Sequence, residues 1–538
     1  MKRLLIVICL FLAACQPPNT WQEVVNLPTP LPRGGTLTYA LDENLDVFQP
    51  WNIHNRAAEV AVALTQSGLT RLDGRGQPQP ELAKSWQADE TGMILTVTLH
   101  DDLRWSDGVS LTSNDVVYTY QSLIALELDS SIGRELELIR DVISKSPTVL
   151  EFRLREPYSP IISLWALPIL PRHVLADQPL GSVNLRALTV GAGPFVQSEI
   201  TASGDWQLRA NEHYHRGQPL FDAVLIRLNQ TPASLGQLVT SGAPYIIDTM
   251  HELTQNNLII NKYPLNSILT VAFNMRDSRE LRILPLRHEL IRIAESAGSF
   301  DGLGAQQKLV RQLTLPGHWL EVPELNSHAI ALDDQLAQQG WTYNADTKKL
   351  ERAGEPLQIT LLVQSEQSTH GALAAKLVAA WEQAGIQVTQ KAVQRSEYLE
   401  HLIPPYEFDV AVVEWAHGRS NGAFADTLFY DPDASWLFAS DALSRGMPDT
   451  RGSLNIVGMD DEGYDMLAKS SRATYDAVGR LNAERNASIR IHDVAPYYFG
   501  SRSQRYVIRS ANVASASVLP TFDTPWYFAS IESWYTLP

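Results

Sequence analysis

Residues 66–120 read QSGLTRLDGRGQPQPELAKSWQADETGMILTVTLHDDLRWSDGVSLTSNDVVYTY. Residues 68–72 make a short β-type run. Asp73, Gly74 and Gly76 then break it with turn chemistry. The segment 80–86 reads as a short turn or helical piece. Residues 93–99 alternate apolar side chains with threonine, the pattern of a half-buried strand. Residues 104–108 (RWSDG) place Asp and Gly where a tight turn wants local hydrogen bonding and positive φ. Thr112, with Asp115 three residues on and apolar residues following, predicts a capped helix start.

The ordered string GL-x-R-L, P-x-LA-x-SW, L-x-V-x-L, W-S-DG, L-T-x-x-DV-x-Y resembles the signature of family 5 bacterial extracellular solute-binding proteins, the oligopeptide, dipeptide and nickel-type receptors of ABC importers. Its length and order make it far more specific than a lone short motif. The resemblance specifies a scaffold, not a ligand. It implies an α/β, two-lobed periplasmic-binding-protein fold of class II type, with an additional small subdomain in the first lobe.

At 538 residues the chain is too long for one simple domain. Hydrophobic residues are 44% and charged residues 19%, an ordinary globular balance that supplies a large core. Beyond the N-terminus no run of eighteen apolar residues occurs. The formal net charge of −17 argues against a nucleic-acid partner, because phosphate binding needs a basic face.

Lys2 and Arg3 precede an apolar stretch at 4–13, which reads as a leader. Residues 12–15, LAAC, resemble a lipobox, making 1–14 a signal peptide and Cys15 the lipidated first mature residue. Cys9 and Cys15 are the two cysteines, so a mature chain starting at Cys15 has no disulfide framework. Residues 15–33 contain five prolines and no periodic pattern, the composition of an extended tether between lipid and fold. Two acyl chains would hold the protein on the extracytoplasmic side of the cell membrane.

Within the fold, the resemblance assigns 34–62, 186–267 and 496–538 to the large lobe, 63–185 to the small subdomain and 268–495 to the second lobe. GGTL at 34–37 opens the first strand, and Asn44 stands where that strand meets the cleft. LPRHVL at 170–175 and GAGPF at 191–195 continue the pattern, with His173 read as a turn residue and the glycines as close-packing points. Strands are predicted at 269–274, 357–363, 386–389 and 408–413, and helices at 286–297, 372–384, 396–402, 461–471 and 474–494. The β-α-β unit at 357–389 needs a parallel sheet with helices on both faces. Two crossing segments near 266–274 and 495–501 are expected to hinge the lobes.

Trp415 follows a buried strand and corresponds to a tryptophan that lines the cleft in this family. A flat aromatic wall supplies apolar area without demanding one ligand chemistry. Peptide-binding members carry an aspartate three positions later, paired with the peptide's amino group. Gly418 stands there instead, and neighbouring His417 and Arg419 favour an anionic or polyhydroxyl ligand. The ligand-contact candidates are therefore Asn44, Trp415, His417 and Arg419.

The chain holds no G-x-S-x-G elbow, Walker loop, CxxC or H-E-x-x-H, and its thirteen histidines show no metal-ligand spacing. No catalytic residue, metal or cofactor is expected. The expected function is a monomeric solute-binding lipoprotein of an ABC importer. It would capture a peptide or other small polar solute between its lobes and deliver it to a membrane permease on closure. A ligand-sensing lipoprotein signalling to a membrane partner shares these features and stands as the alternative; a hydrolase would need a nucleophile and base that the sequence does not display.

Overall fold

The structure is a computed structural model and describes residues 30–45, 49, 51, 55–128, 131–183, 188–255, 258–265, 267–303, 317–321, 333–402, 405–417, 427–430, 455–516 and 523–537. In chain order the first elements are β1 (Thr36–Leu41), α1 (Arg56–Thr65), β2 (Thr70–Leu72), β3 (Pro78–Pro80), β4 (Ala83–Ala88), β5 (Ile94–Leu99) and α2 (Ser113–Ile124). They are followed by α3 (Ser131–Glu137), β6 (Ile139–Ser146), β7 (Val149–Leu154), α4 (Ile161–Leu164) and α5 (Arg172–Leu175). Next come β8 (Phe195–Ile200), β9 (Trp206–Ala210), β10 (Ala223–Arg227), α6 (Pro232–Val239), β11 (Tyr245–Thr249), β12 (Ile259–Pro264), β13 (Ser267–Phe273) and α7 (Leu284–Ser296). A later run holds α8 (Asp333–Gln338), β14 (Thr342–Asn344), β15 (Lys349–Arg352), β16 (Glu355–Pro356), β17 (Gln358–Gln364), α9 (Ser368–Gln383), β18 (Gln387–Val393) and α10 (Arg395–His401). The last are β19 (Val410–His417), β20 (Thr427–Tyr430), α11 (Glu462–Ala473), α12 (Ala477–Val494), β21 (Tyr497–Phe499), β22 (Gln504–Arg509), β23 (Val513–Ser515) and β24 (Trp534–Thr536).

A seven-stranded sheet in the order β12-β22-β11-β1-β10-β9-β8 forms one lobe, with β1 running parallel to both β10 and β11. Successive residues of β1 face opposite sides, as strand geometry requires. Leu37, Tyr39 and Leu41 join the larger core with Val60, Ala61 and Leu64 of α1. Ala40 faces the other way, toward Leu235 and Leu238 of α6.

The signature stretch builds the small subdomain. Strands β4-β5-β7-β6 make an antiparallel sheet. In β5 the alternation seen in the sequence becomes burial of Leu95, Val97 and Leu99. Thr112 caps α2 in a capping box closed by the Asp115 carboxylate, which accepts from the Thr112 backbone N–H at 2.8 Å. The segment 80–86 departs from expectation: residues 83–88 are a strand, not a turn or helix. Cross-strand pairing with β5 overrides the helix-friendly letters ELAK. Gly191 and Gly193 lie against Thr65 so closely that a Cβ would come within 2.3 Å and 2.4 Å of its backbone.

The second lobe is a six-stranded sheet in the order β18-β17-β19-β13-β21, with β20 alongside β19. Strands β17, β18 and β19 are mutually parallel, as the β17-α9-β18 crossover demands. Both faces are covered. Val410 and Val412 face a core shared with α7 and α9, while Ala411 and Val413 face the core that holds Tyr398 of α10 and Ala487 and Ile491 of α12. Gly385 ends α9 at φ +83°, where a Cβ would sit 2.0 Å from the Lys348 carbonyl oxygen.

Two adjacent segments join the lobes. Strand β12 leads directly to β13, and β21 leads back to β22; β12 pairs antiparallel with β22, and β13 with β21. Between the sheets the pairing persists: Leu265 N–H donates to the Ser503 carbonyl at 2.7 Å, and Leu269 N–H to that of Ser501 at 3.0 Å. The crossings thus fall between β12 and β13 and at 500–503, tighter than the expected 266–274 and 495–501, because 267–273 and 497–499 are already hydrogen-bonded strands of the second sheet. Strand β21 accordingly lies beyond residue 495, the expected end of the second lobe. Among the described residues no helix is long and apolar enough to cross a membrane.

Candidate functional site

In open α/β sheets, ligands gather beyond the carboxyl ends of parallel strands. In the first lobe those ends are Leu41, Arg227 and Thr249; in the second they are Gln364, Val393 and His417.

Immediately after β1, Asp42 and Glu43 reach into a buried charge cluster. Its centre is Asp248, the fourth residue of β11 and wholly enclosed. Its carboxylate accepts from Arg505 Nε at 2.7 Å, Arg56 Nε at 2.8 Å and the hydroxyls of Tyr39 (2.9 Å), Tyr263 (3.0 Å) and Tyr527 (2.8 Å). Arg505 also donates to Asp42 at 3.1 Å and pairs with Glu43, so its charge is spread over three carboxylates. Burial pushes the Asp248 carboxyl up, but the Arg56 and Arg505 guanidiniums and the hydrogen bonds overrule it and hold it well below the carboxylate range. Such a cluster fixes the strand ends in one arrangement more than it adds net stability.

Asn44 stands next to it, exposed, at the end of β1. Its Oδ1 accepts from Asn229 Nδ2 at 3.1 Å, and its carbonyl from Asn55 Nδ2 at 2.8 Å. Asn44 is therefore held at the rim by the turn after β10 and by the N-cap residue of α1.

On the second lobe, Trp415 and His417 belong to β19. Trp415 pairs with Ile268 and Leu428 through the backbone, and His417 with Tyr430. Arg419 and Cys15 lie outside the described residues. Two further residues on this edge escaped the sequence reading. Helix α9 starts just past the end of β17, and His370 in its first turn is fully buried, Nε2 3.8 Å from the carboxylate of Glu414, whose side chain is 29% exposed. Neither ring nitrogen of His370 has a hydrogen-bond partner among the described residues. The available signal was positional: Glu414 adjoins Trp415, and a helix opening straight after a parallel strand presents its first turn to the same edge. The structure thus places Asn44 on one lobe and Trp415 and His417 on the other, each at a carboxyl strand end.

Two other polar groupings have structural partners. His173 Nε2 meets Asp107 Oδ2 at 2.8 Å and fastens the RWSDG turn. A surface hollow of about 340 Å³ is lined by Pro80, Glu81, His100, Asp101, Asp102, His215 and Arg216. There the buried Glu81 accepts from Tyr214 at 2.9 Å and faces Arg71 at 3.1 Å. Burial, then the charges of Arg216 and His100, push the His215 imidazole down to about 3. Among the described residues no group of three or more His, Cys, Asp or Glu side chains is disposed to hold a metal ion.

Two α/β lobes joined by a paired double crossing define a two-lobed binding-protein fold. Residues 77–295 match the family described as bacterial extracellular solute-binding proteins, family 5 Middle. The oligopeptide-binding protein AppA of Bacillus subtilis is 22% identical over 99% of this chain and 98% of its own length. Among solved structures, HbpA2 from Haemophilus parasuis superposes with a TM-score of 0.74 at 15% identity, covering 94% of this chain and 100% of its own. NikZ from Campylobacter jejuni, solved in complex with Ni(L-His), gives 0.66 at 19% identity over 93% and 99% of the two chains. The chain shares the fold of these proteins, and its residues 77–295 carry the match to the family 5 bacterial extracellular solute-binding proteins.

Proposed function

We propose that this chain is the solute-capturing receptor of an ABC importer. A solute enters between the lobes, its contacts favour the closed arrangement over the open one, and the closed form is presented to a membrane permease. The observation that carries this reading is the paired double crossing between two sheets whose carboxyl strand ends both carry candidate contacts. Asn44 on the first lobe and Trp415, His417 and Arg419 on the second are the proposed ligand contacts. The solute is a peptide or another small polar molecule. Relatives named for an oligopeptide and for a nickel–histidine complex show how widely this scaffold's cargo ranges. The LAAC sequence supports lipidation at Cys15 and the proline-rich 15–33 a tether, a combination that would hold the receptor, acting as a monomer in this reading, on the extracytoplasmic face of the cell membrane. No bond of the solute is made or broken by this chain.

Native mass spectrometry of the purified protein tests the proposal. The expected result is a co-purified peptide ladder or small polar solute, or an adduct acquired from a solute screen. A chain that carries and acquires nothing across a broad screen overturns it.

A further inference from the structure

The lobes also touch far along the sequence from their crossings. Helices α11 and α12 pack on the second sheet, yet the turn between them docks onto the small subdomain of the first lobe. Tyr475 is the key residue. Its hydroxyl donates to the Gly92 carbonyl at 2.8 Å and accepts from the Tyr158 backbone N–H at 3.1 Å. Its ring lies over Gly92, where a Cβ would come within 3.0 Å of the ring edge. Beside it, Ser159 N–H donates to the Arg472 carbonyl at 2.6 Å and Ser159 Oγ to that of Ser471 at 3.1 Å. The Arg472 guanidinium, nearly buried, pairs with Glu156 at 3.0 Å.

All these bonds run between protein groups of opposite lobes, and none involves a solute. The covalent links between the lobes are the two crossings, one between β12 and β13 and one at 500–503. A rotation about those crossings that parts the lobes must separate residues 471–475 from 92 and 156–159, because the two groups lie on different moving bodies. We infer that the α11–α12 turn, anchored by Tyr475 and Arg472, is an interlobe latch that sets the balance between open and closed forms independently of the solute. The carbonyls of Gly92, Ser471 and Arg472 and the amides of Tyr158 and Ser159 are polar groups that water must re-solvate on opening, so the latch is sensitive to single atoms. This inference rests on the two-lobed capture reading but goes beyond it, since it assigns part of the closing free energy to the protein alone.

The test is hydrogen–deuterium exchange and small-angle scattering on the full chain, wild type against Tyr475→Phe and, separately, Glu156→Gln. Tyr475→Phe keeps the ring over Gly92 and removes only the hydroxyl. The expected result is faster exchange at Tyr158 and Ser159, on the order of tenfold, with a larger radius of gyration and unchanged protection in β1 and β10. Glu156→Gln should shift both readouts in the same direction by less. Unchanged exchange at 158–159 in both variants overturns the latch. Faster exchange there without any expansion also overturns it, because the contact then breaks without the lobes parting. Either failure leaves solute capture standing, since that is decided by the mass-spectrometric search for a bound solute.

Discussion

Asp248 and Arg505 meet in the enclosed floor of the first lobe, carboxylate Oδ1 to Nε at 2.7 Å, across 257 residues of sequence. The pair links β11 to the strand that has just returned from the second lobe. The crossing segment is thereby moored to the edge where β1 ends in Asp42, Glu43 and Asn44.

Asp248→Asn should be severely destabilising, by about 3–5 kcal/mol, because it leaves two buried arginines facing a neutral amide. Urea unfolding followed by tryptophan fluorescence measures it. The pH dependence has a definite sign. The folded carboxyl titrates well below its unfolded value of about 4, so its contribution is complete above that value and drains away as pH falls toward the folded one. Wild-type stability should therefore drop below about pH 4, and the variant should lack this part of the drop.

His215 offers a second titration. Held near 3, its imidazole stays neutral in the fold through the range where the unfolded chain takes up a proton. Its contribution is complete above about pH 6.5 and declines as pH falls toward 3. Ring resonances assigned to His215 should show no titration between pH 7 and about 4; a midpoint near 6 in the folded protein contradicts the environment described.

Gly193→Ala should cost about 1–3 kcal/mol. The added methyl meets the Thr65 backbone, which no side-chain rotation can move aside. Differential scanning calorimetry should show the loss, and Ala192→Gly, a neighbouring change that adds no atom, should lack this clash.

Thr112→Ala removes the N-cap oxygen of α2 and should cost about 1 kcal/mol. Thr112→Ser should restore most of it, as read by denaturant midpoints.

Trp415→Ala should weaken solute binding about tenfold or more, on the order of 1.4 kcal/mol, by calorimetric titration with the solute found in the native mass spectrum. Unchanged affinity removes Trp415 from the proposed contacts.

What the sequence displays is what local chemistry decides. The capping box at Thr112 and Asp115 is contained in four residues, and the alternation in β5 needs only its own side chains to be read. The resemblance carried the rest of the scaffold. Where pairing partners decide, letters mislead: Ala83 and Trp86 read as turn or helix until β5 lies beside them. Where sequence separation is large, they fall silent. Nothing near Arg56 or Tyr39 announces that both converge on Asp248, 192 and 209 residues away. The candidate site divides in the same way. Asn44 and Trp415 were legible as positions by strand ends, and His417 as a loop residue just past one, although β19 in fact runs on to it; His370 and Glu414 become neighbours only when β17 and β19 pair in parallel.

The two strands that pass between the lobes stay hydrogen-bonded to each other through the passage, at Leu265–Ser503 and again at Leu269–Ser501. A pair of loose cords would let the jaws wobble, swivel and slide. A stitched ribbon bends easily across its flat face and resists shear in its plane, so the jaws swing like a door on one pin and return to the same alignment each time they shut.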